Sequence, residues 1–295
     1  MRCTRVMCLL STALFACGVP ERTNTHSGPG ADLAGSMMMN NGTDDGGNNN
    51  NGQTGCGELS GCYTVYAHSD HELYNVDLTN KMLVHIGNFA APMNDTITDL
   101  AVAGDDSVYV ISHTALYKVD KATAKVTLVG PLTSCGSAAI ALTFTPDGNL
   151  YSADYNGAFC RIDLTKSPPA VISVGTLGGN LAITGDLVAV ADGTMYGSAF
   201  TKGGSTTNDV LVTLDPKTGK ATQTIGKTGF GKLFGVAYDN GQVYGFTHDG
   251  SGDVVTIDPK TGVGTLYNSF KDPTTNMPIS FAGAGVNSMV PPMIM

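Results

Sequence analysis

From about residue 62 to the C-terminus, apolar and polar positions alternate in short runs such as SVYVIS (107–112), ALYKVD (115–120) and KVTLVG (125–130). A period of two is that of a strand with one buried face, and β-branched and aromatic residues fill the apolar places. Helical periodicity is absent. Tight-turn signals separate the runs. GDDS, PDGN, ADGT and DNGQ each precede an apolar residue and then a tyrosine, at Tyr109, Tyr151, Tyr196 and Tyr244. Asp-Gly and Asn-Gly suit hairpins because both residues accept positive φ.

The runs also repeat. A phrase ending in aspartate occurs five times: LYNVD (73–77), LYKVD (116–120), FCRID (159–163), LVTLD (211–215) and VVTID (254–258). Its aspartates are 43, 43, 52 and 43 residues apart, and the long interval contains the loop-like TKGGSTTND. Each unit reads as four strands: an Ala/Val/Gly-rich first strand such as TDLAVAG, then the three types of run above. Four-stranded units of this length are the blades of a β-propeller. The chain enters with the second, third and fourth strands of a unit, YTVYAHS, ELYNVDL and KMLVHIG. It leaves with a spare first strand, ISFAGAGVNSM at 279–289. That strand completes the first blade and closes the ring, which removes the exposed edges. The fold class expected is therefore all-β, a five-bladed β-propeller, with six blades the alternative if the long interval hides a further element.

In DPKTG (215–219 and 258–262), Pro fixes φ, Asp caps the turn and Gly takes the left-handed position. The conspicuous aspartates are thus expected to hold turns rather than do chemistry. Asn80 and Ala124 are read as the replacements for that Gly in the first two units. Alanine is costly there, so its turn is expected to differ.

Upstream, the pattern changes. Arg2 and Arg5 precede an apolar stretch at 6–16, too short to span a bilayer. The segment ends Leu14-Phe15-Ala16-Cys17, which resembles the lipobox of exported bacterial lipoproteins. The resemblance implies a signal peptide at 1–16, lipidation of Cys17 and a membrane anchor made of acyl chains. It implies a cell-envelope location, with Gly18 favouring the outer membrane, facing the periplasm or the outside. Residues 17–61 are dominated by Asn and Gly, as in SMMMNNGTDDGGNNNNGQTG, and read as a leash of roughly 35 Å r.m.s. span. The propeller domain is placed at 62–295. Cys56, Cys62, Cys135 and Cys160 are an even set in an exported chain and are read as disulfides. Three connectivities exist, and pairing of near neighbours, 56 with 62 and 135 with 160, is preferred.

The net charge is −9 and no basic patch occurs, which argues against nucleic-acid binding. The units LYxVDxxT…VG and LTFTPDGNLYSAD resemble the repeats of secreted bacterial propellers of the NHL and lactonase type. That resemblance implies the fold, and a function of binding, scaffolding or hydrolysis.

In a propeller the loops between second and third strands share a face with the blade-to-blade connections. Here those loops carry HSDHE with Asp70 and His71, SHT with His113, DYNG with Asp154 and Tyr155, and HDGSGD with His248 and Asp249. The connections add Asn94 and Asp95, and Asp99 sits at the start of an inner strand, where it is expected to point into the channel. Carboxylates and imidazoles in a ring suit a hard divalent ion that activates water. No zincin motif, nucleophile elbow or phosphate-binding loop appears. The expected function is a non-enzymatic binding or scaffolding surface for a protein, glycan or peptide, with no cofactor. The rival is a metal-dependent, lactonase-like hydrolase at the channel mouth, built from Asp70, His71, Asp95, Asp99, His113, Asp154 and Asp249.

Overall fold

The computed structural model describes residues 63–89, 96–133, 135–136, 138–204 and 207–292. Contacts divide the chain into two units, 1–51 and 52–295, and the described residues lie in the second. The signal segment, Cys17, Cys56, Cys62, Asn94 and Asp95 fall outside the described residues.

The described residues form twenty strands in five antiparallel sheets of four, the five blades of a β-propeller. Blade one contains β1 (Val65–His68), β2 (Glu72–Asp77) and β3 (Met82–Asn88). Blade two is β4 (Ile97–Val102), β5 (Val108–Ser112), β6 (Ala115–Val119) and β7 (Val126–Pro131). Blade three is β8 (Ala139–Phe144), β9 (Leu150–Asp154), β10 (Ala158–Asp163) and β11 (Ala170–Thr176). Blade four is β12 (Leu181–Ala189), β13 (Met195–Thr201), β14 (Val210–Leu214) and β15 (Ala221–Lys227). Blade five is β16 (Leu233–Asp239), β17 (Gln242–Thr247), β18 (Asp253–Ile257) and β19 (Gly264–Ser269). The last strand, β20 (Gly283–Gly285), pairs antiparallel with β1, Tyr66 opposite Gly285 and His68 opposite Gly283. The ring therefore closes through the C-terminal segment. The closing strand is shorter than the 279–289 run that the alternation suggested, and the residues just before it bond to the ends of β17 and β1. Phe281 N donates to Thr247 O at 3.0 Å, and Ala282 N to His68 O at 2.7 Å.

Burial falls from the axis outward. Every residue of β8 is buried, whereas β15 has none that is. The inner strands β4, β8, β12, β16 and β20 pack side by side around the axis, so small residues are needed where backbones meet. A Cβ on Gly185 of β12 would lie 2.3 Å from Phe234 Cα on the next inner strand. Only a glycine fits.

The repeated phrases meet each other between blades. In every blade the third strand has a register shift between the first two residues of the aspartate phrase: Leu73/Tyr74, Leu116/Tyr117, Phe159/Cys160, Leu211/Val212 and Val254/Val255. Opposite the shift, four outer strands place a glycine: Gly87, Gly130, Gly175 and Gly226. The aspartate turn of the next blade packs onto it. A Cβ on Gly175 would stand 2.2 Å from Thr218 O, and one on Gly226 2.1 Å from Thr261 O. Blade five has Asn268 there, and it meets blade one through Lys81 Nζ, which donates to Tyr267 O at 3.1 Å.

The turns themselves are capped by their aspartates. Asp215 Oδ1 accepts from Lys217 N and Oδ2 from Thr218 Oγ1, both at 2.9 Å, and Gly219 has φ +70°. The Ala124 turn does not differ, contrary to expectation. Asp120 accepts from Ala122 N and Thr123 Oγ1 at 2.9 Å, and Ala124 sits at φ +58°. In the first unit the left-handed residue is Lys81, at φ +54°, and not Asn80. Asn80 instead donates to both oxygens of Asp77, at 2.9 and 2.7 Å. Counting four residues on from the aspartate gives the right position in both units. A sixth copy of the turn, DPTTN at 272–276, lies in the closing segment, with Thr274 N donating to Asp272 Oδ1 at 2.8 Å and Asn276 at φ +58°. Tyr74 of blade one donates to its Oδ2 at 2.7 Å.

Cys135, in the connection from blade two to blade three, forms a disulfide with Cys160 of β10, their Cα atoms 5.8 Å apart.

Candidate functional site

At one end of the channel a depression of about 560 Å³, counted to its open mouth, is lined by residues from all five blades. Inner-strand positions form its floor and walls: Thr96, Ile97 and Thr98 from blade two, Ile140 from blade three, Gly185 from blade four, Phe234 from blade five and Ala282 beside β20. The second-to-third-strand loops form its rim with Asp70, His113, Tyr155 and His248. The mix, mostly apolar with a few polar groups, is usual for a small-ligand cleft.

The aromatic wall is specific. Phe234 and His248 stack with centroids 4.5 Å apart and planes 5° apart. His248 is held from behind, its Nδ1 3.0 Å from Phe281 O and 3.2 Å from Ser280 Oγ. Anchoring through Nδ1 leaves Nε2 free of these contacts. Tyr155 is 41% exposed, and partial burial of its phenol pushes its pKa up, so it stays neutral. Among the described residues, no hydrogen-bond or ion-pair partner reaches the Asp70 carboxylate, the His113 imidazole or the Tyr155 hydroxyl. Three polar groups thus converge on one cleft without being used by the fold.

The other residues singled out in the sequence have different positions. His71 is exposed on the β1–β2 loop and does not line the cleft. Asp154 is buried, and its Oδ1 accepts from Asn156 N at 2.9 Å and Ala158 N at 2.7 Å, which fixes the β9–β10 loop. Asp249 does the same for its own loop, its Oδ1 accepting from Ser251 N at 3.0 Å and Ser251 Oγ at 2.6 Å. Among the described residues no group of three or more His, Cys, Asp or Glu side chains is arranged to hold a metal ion.

Asp99 lies beneath the cleft, fully buried. Its Oδ2 accepts from Leu142 N of blade three at 2.5 Å. Its neighbour is Asp186 of blade four, also fully buried, whose oxygens accept from Leu187 N and from Val236 N of blade five, each at 2.5 Å. Burial pushes both carboxyls well above the usual range, and the charge of Asp186 raises Asp99 further. The backbone N–H groups oppose this without cancelling it. Two fully buried carboxyls in contact cannot both hold a negative charge, so at least one is protonated. The pair thereby links the inner strands of blades two to five. His68 of blade one is adjacent, 0% exposed, with Nδ1 2.7 Å from Ser69 O. Burial pulls its pKa down to about 4, so the ring is neutral. Sequence reasoning missed Asp186. The available signal was a charge inside an otherwise apolar strand, ITGDLVAV.

Five antiparallel four-stranded blades with an in-register repeat define a repeat-built β-propeller. The chain belongs to the family described as a repeat of unknown function (DUF6923), whose model matches residues 115–267. No curated protein matches. Among solved structures, a chain of a nidogen/laminin complex is 13% identical, with a TM-score of 0.49, over 77% of this chain and 99% of that one. A putative 6-phosphogluconolactonase from Bacteroides fragilis is 11% identical, with a TM-score of 0.46, over 78% of this chain and 99% of its own. A calcium-binding regucalcin from Agrobacterium tumefaciens is 19% identical, with a TM-score of 0.40, over 65% of each chain. At these values none of the three bears on the activity of this chain.

Proposed function

We propose that the propeller is a non-enzymatic binding module whose ligand face is the channel mouth, held at the cell envelope by the lipidated Cys17. One observation carries the reading of the face: five blades contribute to a single cleft whose polar groups Asp70, His113 and Tyr155 have no partner among the described residues. Asp70 is half-buried and His113 and Tyr155 are exposed, so all three stand open to a ligand entering a cleft of this kind. Capping of loops by Asp154 and Asp249 leaves little of the acidic ring available for metal chemistry. The partner would be a protein segment, glycan or peptide.

Glycan and peptide arrays probed with the full-length chain and with a His113→Ala/Tyr155→Ala variant test the face. Hits lost in the variant, at an unchanged melting temperature, are expected; hits retained by it contradict the reading. A saturable rise in melting temperature with one divalent metal would favour the hydrolase instead. For the anchor, metabolic labelling with palmitate should mark the wild-type chain and fail on Cys17→Ala. Labelling that survives Cys17→Ala refutes it.

A further inference from the structure

Taking the channel mouth as a binding site, we propose that it accepts an alkylammonium or guanidinium group, on a free amine or on a lysine or arginine side chain of a peptide.

The lining is one-sided in charge. It contains the carboxylate of Asp70 and no lysine or arginine. A carboxylate or phosphate ligand would meet Asp70 with nothing to offset the repulsion. The chain's net charge of −9 steers cations towards it and anions away.

The aromatic groups point the same way. The Phe234–His248 stack and the exposed Tyr155 ring all line one cleft. The face of an aromatic ring attracts a cation lying within about 6 Å, most strongly where water is excluded. An alkyl stem would also cover the apolar floor of Ile97, Ile140 and Ala282.

The hydrogen-bonding inventory is rich in acceptors. His68 Nε2 and Asp99 Oδ1 are buried without a hydrogen-bond partner, the Asp99 carboxyl lying against that of Asp186. Both stand 2.3 Å from where a Cβ on Gly283 would lie. Gly283, Asp99 and Asp186 each follow a lining residue directly, Ala282, Thr98 and Gly185. An ammonium offers three donors and no acceptor, and a guanidinium five donors and none. Both match a site that offers acceptors and negative charge.

The test is saturation-transfer NMR on the full-length chain in detergent, with four probes: cadaverine, Nα-acetyl-lysine methylamide, its Nε-acetylated analogue, and Nα-acetyl-glutamate methylamide. We expect saturable binding of one or both amines and none of the acetylated or acidic probes. Asp70→Asn should weaken the amine by about tenfold or more, and Tyr155→Leu should weaken it too, with melting temperatures unchanged. Binding of cadaverine alone would point to a free amine; binding of the lysine probe alone would point to a basic peptide. Equal binding of the acetylated analogue, indifference to Asp70→Asn, or no amine binding overturns the inference. If a neutral or acidic probe binds and Tyr155→Leu abolishes it, the amine preference falls and the binding face stands. If binding is indifferent to every mouth variant, both fall.

Discussion

Aspartate does two opposite jobs in this chain, and the environment decides which. In the turns, Asp215 and Asp258 accept backbone N–H bonds from Lys217 and Lys260 and hydroxyl bonds from threonine, and these hold their carboxyls below the usual range. A depressed folded pKa contributes stability that is present above the unfolded value and lost as pH falls below it. Burial raises Asp99 and Asp186 in the channel, and it raises Asp209, at the junction of blades four and five, to about 6. A raised pKa contributes stability that is full below the unfolded value and lost as pH rises through the folded one. Melting temperature followed against pH should therefore peak near pH 4, about the unfolded value, and fall on both sides. A flat profile from pH 5 to 9 contradicts this assignment. Asp209 Oδ2 accepts from Leu233 N at 2.8 Å, a role the amide oxygen of asparagine can keep. Asp209→Asn should thus raise the melting temperature at pH 8 and leave it nearly unchanged at pH 4. From sequence alone, a turn aspartate preceding Pro-Lys-Thr-Gly was legible because its chemistry is local. Asp99 and Asp186 were not legible as a pair, because 87 residues separate them and only ring closure brings them together.

At the scale of elements, the repeat is a docking code. Four units carry a glycine in the outer strand opposite the register shift, and the structure sets the turn region of the next blade against it. Gly226→Val should cost about 2–3 kcal/mol, since its Cβ would meet Thr261 O at 2.1 Å and backbone cannot yield as a side chain does. Chemical denaturation measures it; a loss under 1 kcal/mol would contradict the docking. The Cys135–Cys160 bridge closes a loop over a separation of 25 residues, and removing it with Cys135→Ser/Cys160→Ser should cost about 3 kcal/mol. Strand type and order were readable because alternation and hairpin turns are local signals. The Ala124 turn was not. Its backbone is imposed by the capping aspartate and by packing on Gly87, whose Cβ would lie 3.0 Å from Thr123 O, and that contact outweighs the alanine's own preference. The sixth turn at 272–276 escaped notice because no aspartate phrase of the usual strand precedes it.

For the whole molecule, the count of five follows from closure. The first blade lacks an inner strand of its own at the N-terminal end, and β20 supplies it from the other end of the described chain. The residue spacing of the aspartate phrases carried that result, and among the described residues the long interval holds no further blade, with extra residues falling between β13 and β14. The channel mouth was only half legible. Its rim loops were visible as polar inserts between strands. Its floor was not, because Ile97, Ile140, Gly185, Phe234 and Ala282 look like any other inner-strand residues until the ring sets them around one axis. The claim on which the account turns is that this mouth, and no other surface, is the binding face. Soaking crystals of the chain with a panel of small amine, alcohol, amide and carboxylate fragments tests it most directly. The account predicts fragment density in the cleft between Asp70, His113, Tyr155 and the Phe234–His248 stack, with amines foremost. Fragments gathered along the outer strands β3, β7, β11, β15 and β19, with the mouth empty, would contradict it.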